Sequence, residues 1–234
     1  MPILTIAGYK FITLNELASL RVELLTLCER LDLRGTILLS VEGINISLAG
    51  KQEQVETFKV TLEQDPRFAD MTYHHSGASA QPFQRLKIKL KKEIITMKQP
   101  DANPLATRAP AIAPAQLKQW LDEHRDITLL DTRNDYEVEL GTFEGATNLH
   151  LAHFTELPGA VQALDKKKPV VMFCTGGIRC EKAALYMMNQ GFDEVYQLDG
   201  GILGYFAKVG GAHYDGGCFV FDERVSIGPD MINS

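Results

Sequence analysis

Between residues 99 and 115 the chain reads Gln-Pro-Asp-Ala-Asn-Pro-Leu-Ala-Thr-Arg-Ala-Pro-Ala-Ile-Ala-Pro-Ala, with prolines at 100, 104, 110 and 114. A proline has no amide hydrogen and a fixed φ, so this density breaks any long helix or central strand. The segment is read as an extended linker over 99–114. It divides the 234 residues into a first part (1–98), a second part (115–211) and a tail (212–234). With 45% hydrophobic and 23% charged side chains, the composition is that of a globular protein and excludes a collagenous, disordered or disulfide-scaffold chain. No apolar run approaches the roughly 20 residues of a membrane helix. The start, Met1-Pro2-Ile3-Leu4-Thr5, lacks a basic region followed by an apolar stretch, so the cytoplasm is the expected compartment.

The first part alternates element types. Ile3–Tyr9 reads as a strand, and leucines at 14, 17, 20, 24, 25, 27 and 31 recur at helical spacing, with Thr13 or Asn15 as the expected cap. Gly35–Val41 and Asn45–Ala49 are strands about a Glu42-Gly43 turn, and Gln52–Leu62 is a second helix. A weak strand over Met71–His75 and a longer basic one over Arg85–Met97 complete the pattern. The order β-α-β-β-α-β is that of a ferredoxin-like (acylphosphatase-like) α+β domain.

Charge is uneven. Residues 1–100 hold 13 Lys and Arg against 11 Asp and Glu, whereas residues 101–234 hold 11 against 19. Arg85, Lys87, Lys89, Lys91, Lys92 and Lys98 face only Glu93, a basic strip that reads either as a phosphate-contacting footprint or as a solvated strand face. Tyr73 and Phe83 beside it are candidates to stack on bases or to pack an edge. His74-His75 are adjacent on a strand, point to opposite faces and are not expected to share a metal.

The second part alternates strands with helices, the mark of a parallel α/β sheet. Helices are expected over Ala115–His124, Phe154–Leu164, Glu181–Asn189 and Gly200–Ala207; strands over Thr128–Asp131, Pro169–Phe173 and Val195–Leu198. Such sheets place their sites beyond the carboxyl ends of the strands. There the apolar strand Pro169–Phe173 runs into Cys174-Thr175-Gly176-Gly177-Ile178-Arg179-Cys180. A thiol on a strand-to-helix turn lies among backbone amides and at the positive end of a helix, both of which favour thiolate. Gly176 and Gly177 allow the curved backbone, and Arg179 adds positive charge; the same cradle suits a persulfide. Cys180 reads as a resolving thiol or as the start of the helix, while Cys28 and Cys218 read as structural. No pair of cysteines has close Cys-x-x-Cys spacing, so neither a structural zinc site nor a disulfide framework is expected.

The Cys-x-x-Gly-x-Arg loop, with Asp131-Thr132-Arg133 ending an earlier strand, resembles a rhodanese domain. Asp131–Glu137, Cys174–Lys182 and Phe219-Val220-Phe221-Asp222-Glu223-Arg224 together resemble the oxygen-dependent tRNA uridine(34) hydroxylases. Glu42-Gly43-Ile44-Asn45 and the basic strand from Arg85 to Ile95 are similar to that family's first domain. The resemblance implies an α/β chain, an α+β ferredoxin-like domain followed by an α/β rhodanese-like domain. It implies hydroxylation at C5 of the wobble uridine of tRNA to 5-hydroxyuridine, with molecular oxygen as co-substrate and no other cofactor evident. Cys174 is then the residue expected to carry a persulfide-type intermediate, exposed to an incoming base. Longer members continue into a cysteine-rich segment, whereas this chain stops at Ser234.

Under that reading Asp131 and Arg133 brace the loop or substrate, or form a structural ion pair. Tyr136 and Glu137 are read as packing and surface residues. Glu181 suits the positive end of its helix. Arg85, Lys87, Lys89, Lys91 and Lys92 would hold tRNA. A rhodanese-type sulfurtransferase working through a Cys174 persulfide is the alternative enzyme, and an RNA-binding module with a redox-sensing half is the non-enzymatic one.

Overall fold

The computed structural model describes residues 3–231; Met1-Pro2 and the last three residues of the expected tail lie outside the described residues. The chain divides into two units, 1–94 with 221–224 and 95–220 with 225–230.

In the first unit, β1 (Ile3–Phe11), α1 (Leu17–Arg30), β2 (Arg34–Ser40), β3 (Gly43–Lys51), α2 (Gln52–Glu63) and β4 (His74–Ala78) follow the expected order. Alternate residues Ile6, Ile37, Leu39, Ile44, Ile46 and Leu48 point to one face, because successive strand side chains alternate. That face packs against Leu20, Leu24 and Cys28 of α1 and Val55, Phe58 and Leu62 of α2, closing one apolar core. The sheet order is β4-β1-β3-β2, the ferredoxin-like arrangement, extended by β5 (Leu86–Leu90) running parallel to β2.

Several local expectations are corrected. The basic strand is five residues long, not thirteen. After the Lys91 amide bonds to Leu39, the Glu42 carboxylate takes the Ile94 amide at 2.8 Å and draws the chain off the sheet edge. The weak strand lies at 74–78, because Met71 is buried in the core and closes a turn onto Phe68. Neither Thr13 nor Asn15 caps α1. Its first turn is preceded by Glu16 at φ 52°, and the buried Leu14, bonded through its amide to Val41, sets the entry instead. Tyr73 packs within the unit, with Lys59 over its ring and its hydroxyl on the Met71 sulfur.

The tail contributes to this unit as well. Arg224 donates to the Ser76 hydroxyl at 2.8 Å and to the Gly77 carbonyl at 3.1 Å, aligned by Asp222 at 2.6 Å. A residue more than a hundred positions downstream thus caps the edge strand β4. Nothing in local sequence spacing announces that contact.

The second unit contains a parallel sheet of order β6-β11-β10-β7-β9, built from β6 (Ala111–Ile112), β7 (Thr128–Asp131), β9 (Thr147–Asn148), β10 (Val170–Phe173) and β11 (Val195–Leu198). Its helices include α3 (Pro114–Asp122), α4 (Asp135–Val138), α5 (Leu157–Ala160), α6 (Ile178–Asn189) and α7 (Gly201–Val209). The central strand β10 is buried at every residue. Short antiparallel ladders pair β8 (Gly141–Phe143) with β12 (Tyr214–Gly216), and β13 (Cys218–Phe219) with β14 (Ser226–Ile227).

The proline-rich stretch is part of this unit. Met97, Ala102 and Ala109 enter its core, and β6 adds an edge strand through which Ile112 is buried. Prolines stop regular structure, but the small apolar residues between them still leave water. The helix expected over 154–164 is split into a 3-10 turn, α5 and a second 3-10 turn, with Pro158 in the first turn of α5. No helix among the described residues is long and apolar enough to cross a membrane.

Gly43 tests the first unit. It sits at φ 150°, and a Cβ there would lie 2.1 Å from the Lys10 carbonyl oxygen. Gly43→Ala must push β1 and β3 apart, so chemical denaturation should show a loss of about 1–3 kcal/mol. A stability equal to wild type would mean that the close strand approach does not hold in solution.

Candidate active site

The site is assembled where β10 ends, beside the end of β7, from a loop, two helix starts and two buried ion pairs. Phe173 is the last residue of the central strand, and the chain then turns through Thr175, Gly176 and Gly177 into α6. Gly177 adopts φ 98°, a left-handed conformation that aims its amide back at the strand end. That amide donates to the Cys174 sulfur at 3.1 Å.

A second helix holds the loop in place. The amides of Ile202 and Leu203, in the first turn of α7, donate to the carbonyls of Cys174 and Thr175 at 2.9 and 3.0 Å. Such close approach needs the glycine at 201. A Cβ there would meet the Cys174 carbonyl oxygen at 2.4 Å and the Gly177 nitrogen at 2.8 Å. The Gly200-Gly201 doublet was legible only as a helix-initiating turn; its role against a loop 25 residues upstream depends on β10 and β11 being neighbours.

Cys174 and Cys180 are both fully buried. Burial alone would push the Cys174 thiol up. The Cys180 side-chain hydrogen bond, the Arg179 charge and the amides of Arg179 and Gly177 outweigh it, bringing Cys174 down from 9.0 to about 5. Cys180 goes the other way: burial and the neighbouring Cys174 push it well above the ordinary thiol value. Its sulfur lies 3.6 Å from the Thr132 hydroxyl, which itself donates to the Phe173 carbonyl at 2.9 Å. At neutral pH the pair is therefore one thiolate and one thiol.

Arg179 supplies the fixed charge and is itself neutralised. Its two terminal nitrogens donate to the Glu137 carboxylate at 2.5 and 2.8 Å, a two-pronged pair with both side chains buried. Glu137, expected at a packing or surface position, is thus the residue that holds Arg179 beside the sulfur. The sign that would have found it is its place at the start of α4, on the segment that follows β7. Asp131 and Arg133 form the second buried pair, at 2.6 Å, and are tied to β8 through Thr142 and the Gly141 carbonyl. Both side chains of this pair are fully buried.

Other predicted residues fall as follows. Ile178 and Arg179 open α6, and Glu181, one turn in, accepts from Gln197 of β11. Cys218 lies near Arg133, Asp131 and Glu137, and burial pushes its thiol up to about 12; Cys28, in the other unit's core, is likewise pushed up to about 12. In the first unit Arg85, Lys89, Lys91 and Lys92 are exposed and Lys87 half-buried. One expectation is corrected: the Cys174 sulfur does not stand open to an incoming base. The residue is fully buried, and the first turn of α7 is bonded to the carbonyls of Cys174 and Thr175.

With Cys28, Cys180 and Cys218 all raised, Cys174 should be the one thiol that ionises in the acid range. Ultraviolet thiolate absorbance followed against pH should show one transition near 5, absent in Cys174→Ser and moved upward in Arg179→Met. Because the folded value lies below the ordinary one, the thiolate stabilises the fold fully above pH 9 and loses that effect as pH falls through about 5. A transition at the ordinary thiol value would refute the cradle.

Comparisons with known proteins identify both domains. Residues 3–94 match the UPF0176 acylphosphatase like domain, and residues 113–208 match the Rhodanese-like domain. The chain is 50% identical over 239 residues to the tRNA uridine(34) hydroxylase of Cupriavidus taiwanensis, covering 99% of this chain and 85% of the relative. It is 51% identical to the protein of that name from Thiobacillus denitrificans, covering 99% and 96%. Among solved structures, a rhodanese-like domain protein from Staphylococcus aureus aligns with 41% of this chain and 90% of its own, at TM-score 0.37 and 24% identity. Half-identity across both domains, loop and tail included, places the chain in the tRNA uridine(34) hydroxylase family.

Proposed function

We propose that the protein hydroxylates C5 of the wobble uridine of tRNA, with molecular oxygen as co-substrate, to give 5-hydroxyuridine. The observation that carries this reading is the buried Cys174 sulfur, 3.1 Å from the Gly177 amide and brought down to about 5, in a chain whose relatives bear that name. A thiolate of this kind is a ready nucleophile at neutral pH and needs no separate base. Attack on an electron-poor pyrimidine carbon, or capture of an oxygen-derived species, are the two reactions such a sulfur offers. Arg179 and the loop amides would also stabilise negative charge developing on the bound base.

RNA binding is assigned to the first unit. Its basic residues Arg85, Lys87, Lys89, Lys91 and Lys92 would contact backbone phosphates. The wobble base lies in a single-stranded loop and can be turned out without breaking a duplex. Because Cys174 is buried, the base would reach it by displacing part of the 174–177 loop. The same closure would keep bulk water from a reactive sulfur species between turnovers.

Mass spectrometry of tRNA nucleosides from a deletion strain tests the assignment. Complementation with wild type should restore 5-hydroxyuridine, and Cys174→Ser, folded and at equal level, should not. Modification retained in Cys174→Ser would refute it; thionucleoside loss in place of 5-hydroxyuridine loss would favour a sulfurtransferase. Neutralising Lys87, Lys89 and Lys91 should weaken tRNA binding and flatten its salt slope by roughly 2, at about 0.7 per single-strand phosphate contact. An unchanged slope would remove the strip from the binding surface.

A further inference from the structure

Buried polar groups are almost always hydrogen-bonded, because an unpaired one gives up its contact with water for nothing. Four buried side-chain polar atoms have no such partner among the described residues. Two of them, Thr175 Oγ1 and Asn134 Oδ1, lie just beyond the ends of β10 and β7, neighbouring parallel strands in which Phe173 pairs with Asp131. Thr175 directly follows Cys174. Its carbonyl accepts from the Leu203 amide at 3.0 Å, but its hydroxyl is left over. The Cys218 thiol comes near that hydroxyl without the geometry of a hydrogen bond, and a thiol is a weak partner. Asn134 is the N-cap of α4, where an asparagine oxygen ordinarily takes a first-turn amide; here it takes none. Its backbone amide donates at 3.0 Å to Glu137 Oε2, which also accepts from Arg179 Nη1 at 2.5 Å. Asn134 and the arginine of the Cys174 loop thus meet on one carboxylate oxygen. Packing accounts for neither orphan, since valine at 175 or leucine at 134 would fill similar space with no unpaired oxygen.

We propose that Thr175 and Asn134 hold the uracil edge of the wobble base, the Thr175 hydroxyl donating to O4 and Asn134 Oδ1 accepting from N3–H. The inference rests on the hydroxylation reading above. The guanidinium of Arg179 is already taken by Glu137, so the groups left over are neutral and suit a neutral ligand with one acceptor and one donor. Uracil presents that pair side by side. Its O4 is borne by C4, the atom bonded to the reacting C5, so a donor to O4 belongs next to the sulfur, where Thr175 stands. N3–H is one ring atom further on, and its acceptor comes from the neighbouring strand end. The movement of the 174–177 loop that admits the base also frees the Thr175 hydroxyl. A donor on O4 draws density from the conjugated C5–C6 double bond and makes the ring more receptive to a nucleophile. Cytosine carries an amino donor and a bare ring nitrogen on this edge, so the Asn134 oxygen would face a lone pair. The two residues are positioning and specificity groups that act on the base itself.

The test uses the full chain and two tRNAs, one with uridine at position 34 and one with 3-methyluridine, which has no N3–H; 5-hydroxylation is followed by mass spectrometry. Thr175→Val, which keeps the shape, should lower kcat/KM on uridine by roughly ten- to a hundredfold, and Thr175→Ser should recover most of that loss. Wild type should act on 3-methyluridine about tenfold more slowly than on uridine, whereas Asn134→Ala should treat the two within about threefold of each other. Circular dichroism checks each variant for folding, and a ratio of two substrates on one protein does not depend on the fraction folded. Thr175→Val at the wild-type rate would overturn the assignment, as would an unchanged substrate ratio in Asn134→Ala. No product from wild type on the uridine tRNA would instead defeat the hydroxylation reading, and the assignment with it.

Discussion

A negative charge on sulfur, kept inside the protein, is what the second unit is organised around. Desolvation opposes it, so the thiolate exists only because its surroundings are already polarised toward it. The Gly177 amide donates to the sulfur, and the Arg179 charge beside it lowers the thiol further. Such preorganisation has its own cost, since Arg179 is buried as well. Glu137 offsets that cost with two hydrogen bonds, and removing one partner of such a pair typically costs about 3–5 kcal/mol. The sulfur, the arginine and the glutamate are therefore one electrostatic unit drawn from β10, α6 and α4.

The backbone carries the same theme. Strand β10 is central, so its carboxyl end is flanked by the ends of β7 and β11, and each neighbour contributes to the loop. From β7 come Thr132, which ties the Phe173 carbonyl, and the Asp131–Arg133 pair, which holds β8 in register. After β11 comes α7, whose first amides take the loop carbonyls. The loop carbonyls are thus turned away from the sulfur while the amides face it. This sorting of backbone dipoles follows from two glycines, 177 and 201, at positive φ.

The first unit is built by different means. Its ferredoxin-like core rests on ordinary strand alternation against two helices, and its added strand β5 carries Lys87 and Lys89 beside the buried Ile88. Burial on one face of a short edge strand leaves the other face for charge. The tail then returns to this unit through Arg224, an ion-paired guanidinium that satisfies Ser76 and Gly77.

Local sequence was enough to determine the alternation of strands and helices, the ferredoxin-like order and the Cys174 loop after an apolar strand. Each of these depends on neighbours within about ten residues: side-chain periodicity, turn glycines, the end of a hydrophobic run. Only the tertiary structure decided that Glu137 serves Arg179, that Gly201 seats the loop, that the proline-rich stretch enters a core and that Arg224 caps β4. It also decided that Cys174 and Cys180 are both enclosed. Those contacts join residues from different strands and helices, and the sheet order that brings them together is settled by packing of the whole core, which no local window contains.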